Sequence, residues 1–556
     1  MNPRLRAPLF LLVAACACAA PEPVAFESFT YEGRDEAFAP PVPAGHFRNP
    51  ILAGYYPDPS LCRVGEDYYL VNSSFAHFPG LPLFHSRDLV NWRQLGHVID
   101  RPTQLRYDGL GTSRGLFAPA LSHHGGTFYL VCTMIGAGGN FLVTATDPAG
   151  PWSDPIWLGF DGIDPSLFFA ADGRAWLVNN GPPPDNRPLY DGHRAIWIQE
   201  FDPVARQLVG PRSIIVNGGV DLARKPVWIE GPHLFERDGW YYLTCAEGGT
   251  STQHSQVVFR SRSPLGPFVP WDRNPILTQR DLDGAAPHAI TCTGHADLEL
   301  GPDGQWWAVF LACRPYAPDT WATGRETFLL PVRWTDDGWP QILPPGQRVP
   351  YIVPAPRGAS VAAAPAAPLN GNFTWHDDFA GPTLSPLWIM LRAPHEPWSR
   401  LERGRLLLTP RAELLSGRGN PSFHGRRLQH SRFTASTVLH PPATPGTSAG
   451  LALVQAENHH YFFGVRRHAG GLTAFVESWD GPRPVVLAQR SVADTASLRL
   501  AITGEAERLS FTFADETDGV VVLVPAAAAR TISVQAAGGG LHFTGALIGP
   551  HARVEP

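Results

Sequence analysis

Three acidic residues stand out by their surroundings. Asp58 lies in Tyr56-Pro57-Asp58-Pro59-Ser60, a carboxylate whose backbone is pinned between two prolines. Such rigidity suits a base that must hold a water molecule in place. A lone Asp-Pro also starts turns, and the copy at Asp164-Pro165 has the same two readings. Glu230, in Trp228-Ile229-Glu230-Gly231-Pro232-His233, follows an apolar run. A glutamate there pays a desolvation cost unless it is paired or its pKa rises. A raised pKa is what a general acid needs near neutral pH. One carboxylate activating water, one protonated carboxyl serving a leaving oxygen and a third tuning the acid make the set for glycoside hydrolysis. Inversion at the sugar carbon requires roughly 6.5–9.5 Å between base and acid.

These residues are 106 and 66 positions apart along the chain, so the fold must bring them together. Five segments share one pattern: Asp58-Pro-Ser-Leu61, Ala118-Pro-Ala-Leu121, Asp164-Pro-Ser-Leu167, Gly231-Pro-His-Leu234 and His295-Ala-Asp-Leu298. Their leucines are spaced 60, 46, 67 and 64 residues apart. Each segment runs into a Gly-containing turn and an aromatic-rich strand such as Tyr68-Tyr69-Leu70 or Trp240-Tyr241-Tyr242. Short strands repeated five times predict an all-β, five-bladed β-propeller over residues 45–350. Equivalent positions of a propeller face one axis, which would gather Asp58, Asp164, Glu230 and His295 at one end. His295 is then placed to orient the base, to bind sugar hydroxyls or to ligate an axial ion.

The texture changes after Pro350. Residues 351–372 read as an Ala/Pro-rich linker, and residues 373–556 carry the period-two runs of an antiparallel β-sandwich. At the other end, Arg4 and Arg6 precede a short apolar stretch, so residues 1–20 read as an export signal. Val13-Ala14-Ala15-Cys16 resembles a lipobox, which would make Cys16 a lipid anchor. A plain cleavage near Ala17-Cys18-Ala19 is the alternative. The expected location is therefore periplasmic, outer-membrane-anchored or secreted.

Composition agrees with an exported globular protein. The 556 residues are 44% hydrophobic and 17% charged, which excludes a disordered polyelectrolyte. The net charge of -6 offers nothing to nucleic acid. Cys62, Cys132, Cys245, Cys292 and Cys313 lack the spacing of a zinc site and read as buried thiols. Gly136-Ala-Gly-Gly139 does not open a helix, so no nucleotide cofactor is implied. Calcium, at the axis or in the sandwich, is the one ion the reading admits, with no ligands assigned and no metal residue named.

Residues 49–345 resemble glycoside hydrolase family 43, the β-xylosidase and α-L-arabinofuranosidase group. The resemblance rests on Asn49-Pro-Ile-Leu-Ala-Gly-Tyr-Tyr-Pro-Asp-Pro-Ser60, Asp67-Tyr-Tyr-Leu-Val-Asn-Ser-Ser-Phe75, Ile229-Glu-Gly-Pro-His-Leu234, Ala246-Glu-Gly-Gly-Thr250, Thr293-Gly-His-Ala-Asp297 and Gly324-Arg-Glu-Thr327. It implies an inverting hydrolase with Asp58 as general base, Asp164 as pKa modulator and Glu230 as general acid. It further implies that His295 and Arg325 contact substrate or orient the carboxylates, and that Phe75 walls the pocket. By composition alone Arg325 could instead form a surface ion pair with Glu326. Phe117 stands in Gly115-Leu-Phe117-Ala-Pro119 where relatives commonly carry Trp, which bears on substrate choice. Gly419-Asn-Pro-Ser-Phe-His-Gly-Arg-Arg-Leu-Gln-His430, Glu457-Asn-His-His-Tyr461 and Gly538-Gly-Gly-Leu-His-Phe-Thr-Gly-Ala-Leu-Ile-Gly549 are similar to the concanavalin-like C-terminal sandwich of the β-xylosidase branch. There a sandwich loop closes the pocket with an aromatic, and Phe543 matches that position; ordinary core is its other reading. The implied activity is exo-release of xylose from xylo-oligosaccharides, with arabinofuranose release from arabinoxylan or non-catalytic carbohydrate binding as alternatives.

Overall fold

The computed structural model describes residues 21–359, 367–515, 519–538 and 542–556. The export-signal and Cys16 readings fall outside them. Among the described residues the chain is all-β, with helix confined to short 3-10 turns such as Glu36–Phe38 and Leu222–Arg224. High glycine and proline content and aromatic, β-branched strands account for this bias.

Five antiparallel sheets follow one another along the first part of the chain. They begin with the strands Ser60–Val64, Gly115–His124, Ile163–Phe169, Glu230–Arg237 and Thr291–Leu300. Each first strand pairs with the aromatic-rich strand after it, as in Leu61↔Leu70, Leu121↔Leu130 and Leu234↔Leu243. The first strands also touch one another in order, and Thr291–Leu300 returns to touch Ser60–Val64.

The repeat has a backbone signature. Asp58, Ala118, Asp164, Gly231 and His295 all adopt left-handed φ values, 51°, 37°, 53°, 54° and 51°. Pairing slips beside this kink in the second to fifth sheets, between Phe117 and Ala120, Ile163 and Ser166, Glu230 and His233, and Gly294 and Asp297. Left-handed conformations cost energy in non-glycine residues and collect where a side chain must be re-aimed. In the fourth sheet glycine takes the kinked position, because a Cβ on Gly231 would lie 2.9 Å from the His295 ring. The acid there is Glu230, one residue earlier.

The C-terminal half forms two larger sheets. One has six strands in the order Arg426–Arg427, Leu547–Val554, Thr447–Ala456, His459–His468, Gly471–Asp480, Pro484–Val492. The other contains Arg432–Leu439, Leu498–Glu505 and Arg508–Asp515, and its membership extends beyond residues 373–556. Val24–Gly33, near the start of the described chain, inserts between Leu406–Leu408 and Arg432–Leu439, with Val24 opposite Leu408 and Phe29 opposite Thr437. Phe26, Phe29 and Tyr31 are fully buried there. Burying each such ring contributes roughly 1.5–3 kcal/mol. A segment the sequence reading left unassigned is thus a central strand of the sandwich.

The two halves share one apolar core, in which Leu52 and Tyr56 meet Leu428 and Leu451 within a continuous cluster. A sandwich loop lies directly on the first half, with Ala546 N–H donating to Ala322 O at 2.8 Å. A Cβ on Gly545 would come within 2.4 Å of Thr323 O, so only glycine fits this approach. The five remaining cysteines are buried and free.

Candidate active site

The kinked strand starts bring Asp58, Asp164, Glu230 and His295 to the wall of a single cavity of about 400 Å³, together with Arg325. Phe117 and Phe543 line the same space. Sequence positions 58 and 230 therefore open into one pocket.

Asp58 is the most tightly held of the acids. Its Oδ2 accepts the Ser73 hydroxyl at 2.6 Å, and its Oδ1 accepts Arg325 Nη1 at 3.1 Å, with His295 Nδ1 at 3.8 Å. Ser73 is itself fixed by the Ala118 N–H, 2.7 Å from its Oγ. Asn72 donates to the carbonyls of Tyr56 and Pro57 at 2.9 and 3.1 Å, clamping the loop that carries Asp58. Burial would raise its pKa, but Arg325, His295 and the Ser73 hydrogen bond outweigh it and bring it below the ordinary aspartate value.

Glu230 has the opposite environment. It is 9% exposed, and burial together with the charges of Asp164 and Asp58 pushes its pKa well above the glutamate value. Asp164 accepts the Gly231 N–H at 3.1 Å. Burial and the Asp58 charge raise it to about 7. One cavity is thus lined by a carboxyl whose surroundings favour the ionised form and another whose surroundings favour the protonated form. Burial lowers the His295 pKa to about 4, so its ring is neutral at pH 7.

Arg325 donates to Asp58 and also to Thr250 Oγ1 at 2.8 Å. The surface pair with Glu326 does not form, because Glu326 is fully buried and bound to Arg314 at 2.6 Å. In the strand Glu326–Pro331 consecutive side chains face opposite ways. Glu326 therefore points away from Arg325, which stands at the strand's start.

The aromatic wall joins both halves of the chain. Phe543 stacks on Phe75 with centroids 6.0 Å apart and meets Phe117 edge-on at 5.4 Å. The Phe543 N–H donates to Ser113 Oγ at 2.9 Å, tying the sandwich loop to the second sheet. Phe75 is fully buried behind Phe117 and Phe543, so it backs the wall and the other two rings face the cavity. Phe543 belongs both to the sandwich-side apolar cluster and to the pocket.

Several residues of the site were not singled out from sequence. Ser73 and Thr250 sit inside stretches that carried the family resemblance, but their roles depend on contacts across sheets. Arg194 lies near Asp164 and Glu230 and presents its guanidinium 5.0 Å from the Trp228 ring centroid. Trp228 lines the cavity and stands near enough to the Glu230 carboxyl to oppose, slightly, the rise in its pKa. Its position two residues before the acid was visible; its orientation was not. Among the described residues no group of three or more His, Cys, Asp and Glu side chains is arranged to hold a metal ion, at the axis or in the sandwich. These residues thus supply no calcium ligand set of that kind.

Comparison with known proteins gives a consistent answer. The family described as glycosyl hydrolases family 43 matches residues 47–340, and the β-xylosidase C-terminal concanavalin A-like domain matches residues 376–553. The chain is 42% identical to a xylosidase/arabinosidase of Butyrivibrio fibrisolvens over 420 residues, covering 74% of this chain and 78% of that protein. It is 36% identical to a non-reducing end α-L-arabinofuranosidase of Bacteroides ovatus, with 91% of each chain covered. Among solved structures, a GH43_12 protein from the capybara gut metagenome superposes with a TM-score of 0.89 at 38% identity, covering 96% of this chain and 100% of that one. A xylan β-1,4-xylosidase from Bacillus halodurans gives 0.81 at 33% identity, with 91% and 97% covered.

Proposed function

The chain belongs to glycosyl hydrolase family 43, and from that premise we propose that it releases xylose from the non-reducing ends of xylo-oligosaccharides with inversion. The observation that carries this is the opposite protonation of two carboxyls in one cavity, Asp58 held ionised and Glu230 held protonated. Asp58 accepts a proton from water as the water oxygen bonds to the anomeric carbon. Glu230 gives its proton to the bridging oxygen as that carbon–oxygen bond breaks. Asp164, close to Glu230, helps keep that proton in place through its charge. Arg325 and His295 orient Asp58 and face the sugar hydroxyls, and Phe117 and Phe543 supply the flat apolar wall.

The fold reading supports this. The cyclic order of contacts among the five first strands fits a five-bladed propeller over residues 45–350, and the sandwich of residues 373–556 is completed by Val24–Gly33. Phe543, entering from the sandwich, narrows the cavity to a pocket, which favours exo action over internal cleavage. Export through residues 1–20, with or without a lipid on Cys16, would place the enzyme where such oligosaccharides are met.

A second reading is release of α-L-arabinofuranose, in which Phe117 is part of the wall that the sugar ring meets. The names of the Butyrivibrio and Bacteroides relatives include that activity. Parallel assays on 4-nitrophenyl xyloside and arabinofuranoside decide between the two.

Proton NMR of 4-nitrophenyl β-D-xyloside hydrolysis, in which the glycone is the only sugar released, tests the mechanism. The first product expected is α-xylose, and first-formed β-xylose would overturn inversion. Xylobiose binding without cleavage, seen by calorimetry, would favour the non-catalytic reading. The pH profile of kcat/KM should be bell-shaped. Activity is lost as pH falls through the depressed Asp58 pKa and as it rises through the elevated Glu230 pKa.

A further inference from the structure

We propose that Trp228 is the platform on which the leaving sugar stacks, a second subsite on the Glu230 side of the pocket. The inference rests on the glycosidase reading above. An acid that protonates the bridging oxygen has the departing unit beside it, so that unit lies on the Glu230 side. On the Asp58 side stands Arg325, its guanidinium 5.9 and 5.4 Å from the ring centroids of Phe75 and Phe543. Beside Glu230 the cavity is bounded by Val227 and Trp228, and Trp228 is 37% exposed.

Single exposed tryptophans are common, but this one is built in. Its backbone holds a left-handed φ of 58°, costly for a bulky residue. Hydrogen bonds pin it on both sides: Trp228 N–H to Gly192 O and Gly248 N–H to Val227 O, each 2.8 Å. The Arg194 guanidinium lies over the ring at 5.0 Å, and the part of the indole left exposed lines the cavity beside Glu230, where a ligand can meet it. A rigid indole with a polar edge matches a pyranose, which has an apolar C–H face and a hydroxyl rim.

The test compares Trp228→Ala, Trp228→Leu and Trp228→Phe on xylobiose and on β-D-xylopyranosyl fluoride, whose leaving group is not a sugar. The expected result is that the ratio of kcat/KM, xylobiose over fluoride, falls by about tenfold or more in the Ala and Leu variants, the scale of one aromatic contact. Trp228→Phe should restore most of the ratio. An unchanged ratio in the two non-aromatic variants overturns the proposal. So does a Phe variant as low as Ala, which would assign the effect to the indole N–H. Should the Ala variant not fold, the Leu and Phe pair gives the same decision. A wild type that cleaves neither substrate would refute the glycosidase reading itself, an outcome distinct from any change in the ratio.

Discussion

At the junction of the two halves, Arg314 donates to both oxygens of Glu326 at 2.6 and 3.0 Å, to Asp35 Oδ2 at 2.8 Å and to Gln429 O at 2.7 Å. The other Asp35 oxygen accepts the N–H groups of Ser431 and Arg432, both at 2.9 Å, and Gly54 N–H reaches Glu326 at 2.7 Å. Every charge there has its partners. The pocket is built from the same residue types with a different balance. Three carboxyls face it, Arg325 serves Asp58, and the Arg325 Nε is left without a partner. Glu230 has burial and two like charges against it. Burial raises Glu326 as well, but there Arg314 opposes it, whereas at Glu230 two like charges add to burial and drive the pKa well above the ordinary glutamate value, which is what acid–base chemistry uses.

Substitutions can break that contrast. The largest effect is expected from Asp58→Asn, which should lower kcat/KM by about 10²–10⁴-fold whatever the leaving group, because water loses its base. The variant should keep its melting temperature within a few degrees, and a collapse in stability would move Asp58 into the structural class. Arg314→Met should act in the reverse sense. Leaving Asp35 and Glu326 buried without their cation should cost about 3–5 kcal/mol in denaturant unfolding. Turnover per folded molecule should stay close to wild type, since Arg314 does not line the cavity. A loss of turnover with unchanged stability would erase the distinction between the two clusters.

The repeat made much of this arrangement legible. The five four-residue signatures mark the kinked strand starts, and the convergence of Asp58, Asp164, Glu230 and His295 followed from that periodicity alone. Two kinds of feature were hidden. Val24–Gly33 pairs with two strands 380 to 413 residues away, and its alternating pattern carries no information about which sheet will accept it. The partner of Arg325 was undecided for a related reason: Glu326 is its chain neighbour, but strand geometry sends the two side chains to opposite faces. The aromatic wall was half visible. Phe117 and Phe543 stood out by resemblance, yet only the packing separates them from Phe75, which supports the wall from behind.

The central claim is that Glu230 carries the proton that the leaving sugar needs while Asp58 acts separately on water. The most direct test is the dependence of kcat/KM on leaving-group pKa in Glu230→Gln, measured from xylobiose to activated aryl xylosides. The account predicts a loss of about 10²–10⁴-fold on xylobiose that shrinks steadily as the leaving group becomes a better one. A uniform loss across the series, or unchanged turnover on xylobiose, would contradict it.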